Sequence, residues 1–194
     1  MLSFIKPHAE RFEYYDTVTG MSKIIRRYFV MNSFDGALTM FGLLLGSYIA
    51  EVTEPALIIS IGIGTAIAMG FSGLTGALFT ERAERVRELK KMERALQRKL
   101  DDTDYKKAYD FATLVTAGVN ASSPLFTALI LLSPFVFSAM PDAYYMSFGL
   151  SLSLFFLLGI YIGHIAKERL VLTGLKFLGA GVLCLALILL LGQI

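Results

Sequence analysis

The sequence predicts an all-α integral membrane protein with five transmembrane helices and a short cytoplasmic helical segment between the second and the third. Three observations carry that expectation. The 194 residues are 55% hydrophobic, with no Trp and a mean hydropathy of +0.62, too apolar for a soluble domain of this length. All 18 Lys and Arg fall in three blocks, Lys6 to Arg27, Arg82 to Lys107 and Lys167 to Lys176. Between the blocks the chain is almost wholly apolar, and the connectors Glu51–Pro55 and Met140–Tyr144 hold no Lys or Arg. Basic loops resist translocation, so this alternation sets the crossings at five, with the amino terminus cytoplasmic and the carboxyl terminus outside.

Residues 1–27 read as a cytoplasmic amphipathic segment, with Phe12, Tyr15, Ile24 and Ile25 among charges, suited to lying on the inner surface. Glu10, Glu13 and Asp16 among its bases do not resemble a cleaved signal peptide, so the mature chain is expected to start here. Residues 28–80 hold the first two spans. Tyr28 to Ala50 gives roughly 35 Å of helix, enough for a hydrocarbon core of about 30 Å. Glu51 to Glu54 form an outer turn, and Pro55 suits the first turn of the next helix, which runs to Thr80 and is rich in Gly. Residues 81–110 are charged but made of helix formers, predicting a cytoplasmic helix that continues or restarts after the second span. Asp101, Asp102, Thr103 and Asp104 look like its break.

Residues 111–192 hold the last three spans. The third, Phe111 to Ala139, contains Asn120, Ser122, Ser123, Pro124 and Pro134, which predicts a kink near Pro124 with freed carbonyls. Met140, Pro141 and Asp142 make a second outer turn, with Tyr144 and Tyr145 as interfacial aromatics. The fourth span is Tyr144 to Ala166, Lys167 to Arg169 form an inner turn, and the fifth is Leu170 to Gly192. Gly42 and Gly46 in the first span, and Gly70, Gly73 and Gly76 in the second, offer small faces for helix packing, within one subunit or between two. Cys184 lies alone in an apolar run, so no intrachain disulfide forms. The basic blocks need no nucleic-acid partner; anionic lipid head groups attract them.

Asp35 is the most informative residue. It lies roughly 12 Å of helix beyond Arg27 in an otherwise neutral span, and a carboxylate at that depth marks an ion or proton path. The competing reading is a carboxyl at the inner interface, or one kept protonated by Asn32, Ser33 and Thr39. Met69 in the second span is placed by an antiparallel pairing within a turn or two of the same depth. A carboxylate beside a soft sulfur suits ferrous iron, manganese or cobalt better than calcium or magnesium, although a Met in an apolar helix is often packing filler. Glu81, Glu84 and Glu88, spaced three and four apart, share a helical face below the second span, with Met92 a turn farther on. They either gather divalent cations or form salt bridges with Arg85, Arg87, Lys91 and Arg94. His164, near the inner end of the fourth span, is either a ligand, a proton relay or simply solvated.

Asn32-Ser33-Phe34-Asp35-Gly36-Ala37-Leu38-Thr39, Ala66-Ile67-Ala68-Met69-Gly70 with the later Glu81 and Glu84, Leu131-Leu132-Ser133-Pro134-Phe135, and a Gly-punctuated final span occur in one order. In that order the chain, from Arg26 to Gly192, resembles the vacuolar iron transporter family. The resemblance implies a five-helix homodimer with its ion path between subunits, moving ferrous iron, and often manganese, out of the cytosol in exchange for protons. It implies that Asp35 and Met69 form the intramembrane pair and that Glu81, Glu84 and Glu88 begin the cytoplasmic metal-binding set. Two departures stand out: the charged segment is shorter than the plant members' metal-binding domain, and Phe34 replaces the Asn or Asp that commonly precedes Asp-Gly.

The expectation is therefore a transporter and not an enzyme, without resident cofactor, its partners being divalent metal ions, protons, membrane lipid and a second copy. A prokaryotic plasma membrane suits so compact a chain. Two alternatives use other residues. Gly70-Phe71-Ser72-Gly73 matches a rhomboid serine motif, with His164 as base of an intramembrane peptidase, but five spans are few and the serine would be mid-helix. Asp35-Gly36 also matches the start of the CDP-alcohol phosphotransferase motif, whose following Arg and two further aspartates are missing. A structural membrane protein without transport is the remaining reading.

Overall fold

A computed structural model describes the backbone of residues 2–101 and 103–191, and side chains from 10 to 101 and from 103 to 190. Asp102 of the expected break and Gly192 at the expected end of the last span lie outside the described residues. The protein is all-α, with seven helices in the order α1 (Leu2–Thr19), α2 (Met21–Ile49), α3 (Pro55–Leu96), α4 (Asp104–Leu132), α5 (Pro134–Phe137), α6 (Asp142–Ala166) and α7 (Leu170–Leu191), and no strand among the described residues. Among the described residues five segments are long and apolar enough to cross a membrane: Met21–Ile49, Pro55–Leu96, Asp104–Phe137, Asp142–Ala166 and Leu170–Leu190. In lipid every backbone N–H and C=O needs an internal partner, which is why such segments must be helical.

Each boundary has a local cause. Gly20 adopts φ +61° and ends α1, while the Asp16 Oδ1 accepts from the Ser22 N–H at 2.7 Å at the start of α2. The first spanning helix thus begins at Met21, seven residues before Tyr28. Pro55 opens α3, where its missing N–H costs nothing. At 42 residues α3 is about 63 Å long, twice the hydrocarbon thickness. The charged stretch after Thr80 therefore continues the span without a restart.

That helix ends sooner than Asp101. Gln97 takes φ +50°, and Glu93 closes the turn: its carbonyl accepts from Arg98 N–H at 3.2 Å and its Oε1 from Leu100 N–H at 2.9 Å. Residues 104–110 then open α4, so the charged segment is the end of one helix and the start of another.

Pro124 does not break α4, which runs from Asp104 to Leu132. A proline deprives the carbonyl four residues earlier of its donor. Here that residue is Asn120, whose Nδ2 donates to the Gly73 carbonyl of α3 at 2.7 Å, and a Cβ on Gly73 would lie 3.1 Å from the Asn120 oxygen. Close approach at Gly73 thus supports α4 one turn before the proline. The helical run is interrupted at Ser133, before the short α5.

The chain forms two compact units, Met1–Phe29 with Phe71–Ala121, and Val30–Gly70 with Ser122–Ile194. In the first, Tyr15 of α1 and Met21 of α2 are buried with Ala108 and Ala112 of α4, flanked by Val18 and Ile25. In the second, α2 contributes Ala37, Met40, Phe41 and Leu44, α3 Ile58 and Ala66, α4 Ala128, Leu131 and Leu132, and α6 Tyr144 and Phe155. Glycines bring backbones together in this unit: a Cβ on Gly159 of α6 would lie 2.7 Å from the Gly174 Cα of α7. At the end without Lys or Arg, Tyr48, Phe135, Tyr144, Tyr145 and Phe148 form an aromatic cluster. The Tyr144 hydroxyl donates to the Val52 carbonyl at 2.9 Å, tying down the short connector between α2 and α3.

Gly36 marks the tightest seating of α2 on α4, since an added Cβ would meet Thr127 Oγ1 at 2.6 Å and Pro124 Cα at 2.7 Å. Gly36→Ala is expected to destabilise the protein by about 1–3 kcal/mol, whereas Gly149→Ala on α6, where nothing lies within 4 Å, should not. Thermal unfolding in detergent compares the two; equal midpoints would show that α4 is not packed against Gly36.

Candidate functional site

Three consecutive residues of α2 point three ways. Phe34 packs edge-on against Phe155 of α6 and Phe177 of α7, with ring centroids at 5.4 and 4.7 Å. Gly36 faces α4. Successive helical residues are about 100° apart, so Asp35 falls between these two packed directions and projects outward, exposed on its own protomer. Met31 and Thr39, four residues to either side, are exposed with it. Farther along the same stripe Gly46 has nothing within 4 Å and Gly42 only the Ile188 Cδ1 at 3.5 Å.

Asp35 lines an open depression of about 600 Å³ with Met31, Asn32, Phe34, Leu38, Thr39, Gly42 and Cys184 of α7. Its walls carry a carboxylate, an amide, a hydroxyl, a thioether and a thiol, a mixture of hard and soft donors that suits borderline divalent metals better than calcium or magnesium. Met69 does not line it, and is half-buried on α3. Within one protomer the soft sulfur beside the carboxylate belongs to Met31 and Cys184. Met31 was available to sequence reasoning as the residue one turn before Asp35; Cys184 was not, because no pattern ties the last helix to the first span.

The three glutamates of α3 have separate surroundings. Glu81 is largely buried: its Oε1 accepts from the Tyr28 hydroxyl at 2.8 Å, and its Oε2 lies 3.5 Å from Arg85 Nη2. Arg85 is 5% exposed, and its guanidinium lies over the Tyr109 ring at 5.5 Å. The 3.5 Å ion pair falls short of hydrogen-bond geometry, so Nε and Nη2 find no hydrogen-bond partner among the described residues. The exposed Glu88 interacts with the Tyr109 hydroxyl, and Glu84 faces outward with Arg87 at 3.6 Å, a pair worth little in water. Of the cations weighed as salt-bridge partners, Arg85 and Arg87 are engaged. No three His, Cys, Asp or Glu side chains among the described residues converge as a ready metal cage.

The residues of the peptidase alternative sit on regular helix. Ser72 is exposed within α3, where backbone N–H groups are committed to helical bonds and cannot form an oxyanion hole. His164 is exposed in the last turn of α6.

The chain is 30% identical over 177 residues to the uncharacterized protein MJ0645 of Methanocaldococcus jannaschii, an alignment covering 89% of this chain and 90% of that protein. The chain belongs to that protein's family. No protein-family model matches the sequence.

Removing either partner of the Glu81–Arg85 pair leaves a charge stranded in a confined site. Glu81→Gln and Arg85→Met are each expected to lower stability by roughly 3 kcal/mol. The double variant should lose clearly less than the sum. A double-mutant cycle by thermal unfolding measures the coupling; strict additivity would mean that the two charges do not feel each other.

Proposed function

We propose that the protein moves divalent transition-metal cations, Fe²⁺ or Mn²⁺, out of the cytosol in exchange for protons, as a homodimer with the Asp35 stripes of the two copies facing each other. One observation carries this reading: the single acid within the apolar part of α2 projects away from its own protomer, on a face where Gly42 and Gly46 leave room for another helix. A carboxylate against hydrocarbon costs several kcal/mol. A second copy bringing its own Asp35 stripe turns that cost into a route, because two carboxylates lining one seam attract a divalent cation or share protons. Met31, Thr39 and Cys184 supply further donors beside each carboxylate.

Metal binding and protonation compete for the Asp35 carboxylate, which is the chemical basis for exchange. On this reading Lys and Arg mark the cytosolic side, so α3 carries Glu81, Glu84 and Glu88 into the cytosol. Glu84 is the most open of them to a hydrated cation, while Glu81 must exchange Arg85 and Tyr28 for metal. Met69 lies outside the Asp35 depression and takes no part in this reading. The host is a prokaryotic plasma membrane.

Inside-out vesicles under a pH gradient test the mechanism. Asp35→Ala should reduce metal uptake at least tenfold and Ser72→Ala should leave it intact; wild-type uptake by the Asp35 variant removes the proposal. The seam is tested separately: with Cys184→Ser as background, Thr39→Cys should give a cross-linked dimer in the membrane, whereas a Cys on the α6 surface at Gly149 should not. A monomer under both conditions removes the two-copy path.

A further inference from the structure

We propose that α1 and the start of α4 form a binding site for one anionic phospholipid, a phosphodiester head group with its acyl chain laid along α4. The site lies wholly in the first unit and does not depend on metal transport. It is an open cavity of about 640 Å³ lined by Arg11, Phe12 and Tyr15 of α1 and by Lys107, Asp110, Phe111 and Leu114 of α4.

Its two ends differ in chemistry. The lining carries the cations Arg11 and Lys107 and one acid, Asp110, a net charge of +1. Among the described residues neither cation is neutralised in a buried pair: Arg11 donates to the Tyr15 hydroxyl at 3.4 Å and lies 5.9 Å from that ring, and Lys107 has an exposed contact with Asp104 at 3.5 Å. Arg11 offers the forked donors that match phosphate oxygens, and Lys107 a point charge beside them. Asp110 is placed to accept from head-group hydroxyls.

The other end is apolar and built. Phe111 holds Phe12 edge-on at 6.5 Å and Tyr15 at 5.4 Å, fixing α1 against α4 over the buried Ala108 and Ala112. From there Phe111, Leu114 and Gly118 follow each other at helical spacing, all exposed, and Gly118 has nothing within 4 Å. A free phosphate needs only the polar end. The open strip running from two cations into the apolar length of a spanning helix fits a molecule that is anionic at one end and a hydrocarbon chain at the other.

The full-length protein in detergent, titrated with short-chain phosphatidylglycerol and followed by native mass spectrometry, tests this. Phosphatidylglycerol should bind about tenfold or more tightly than phosphatidylcholine of the same chain length. Arg11→Gln with Lys107→Gln should lose about that factor, and Leu114→Ser should weaken binding while leaving the head-group preference intact. Lys90→Gln with Lys91→Gln, which removes the same charge outside the cavity, should change little. Equal binding of both lipids, equal losses in the two charge variants, or displacement by millimolar inorganic phosphate would overturn the proposal. Should a variant fail to fold, phosphatidylglycerol with a photoreactive head group answers on the wild type: cross-links at residues 10–15 and 107–114 support the site, and cross-links elsewhere overturn it.

Discussion

A carboxylate inside an apolar span is costly, and the packing of α2 leaves Asp35 exposed on the outside of the chain. Its neighbours fix its direction. Phe34 is locked among the rings of α6 and α7, and Gly36 is pressed so closely against Pro124 and Thr127 that α2 has no freedom to rotate. The acid is therefore held outward by close packing on both sides. Its surroundings are donor-rich, since Asn32, Thr39, Met31 and Cys184 share the depression.

The glutamates obey a different constraint. Arg85 is buried beside Glu81 and faces Tyr109, so the chain carries its own cation where the stripe of acids starts. Tyr28 holds the other oxygen of Glu81. Under the proposed function, a cation arriving there would compete with a tethered guanidinium, whereas at Glu84 it would compete with an exposed pair. Acids that look equivalent in sequence are thus unequal in accessibility, and the inequality comes from which residues of α3 face inward.

The five long apolar helices were legible because bilayer-length apolar runs leave coarse marks in composition. That the charged stretch after Thr80 is helical was legible because helix formers continue there without Gly or Pro, whereas its unbroken continuation from the second span was left open. Three features were not legible. The end of α3 depends on Gln97 adopting a left-handed conformation that many residues near it might have taken, with Glu93 closing the turn. The tie from Asn120, one turn before Pro124, to the Gly73 carbonyl depends on two residues remote in sequence meeting side by side. The association of Cys184 rather than Met69 with the Asp35 depression depends on which helices pack. In a water-soluble helix the polar face announces the outside, but a spanning helix is apolar on both faces, so periodicity carries little record of its neighbours.

The contact of α6 with α7 has its own consequence. Gly159, Gly163 and Gly174 place the two helices almost backbone to backbone, joined by a three-residue turn that ends α6 with Lys167 in the left-handed region. Two rods interlocked at that distance cannot slip past each other by a turn without forcing side chains through one another. They are suited to entering the bilayer during synthesis as a single pre-zipped hairpin.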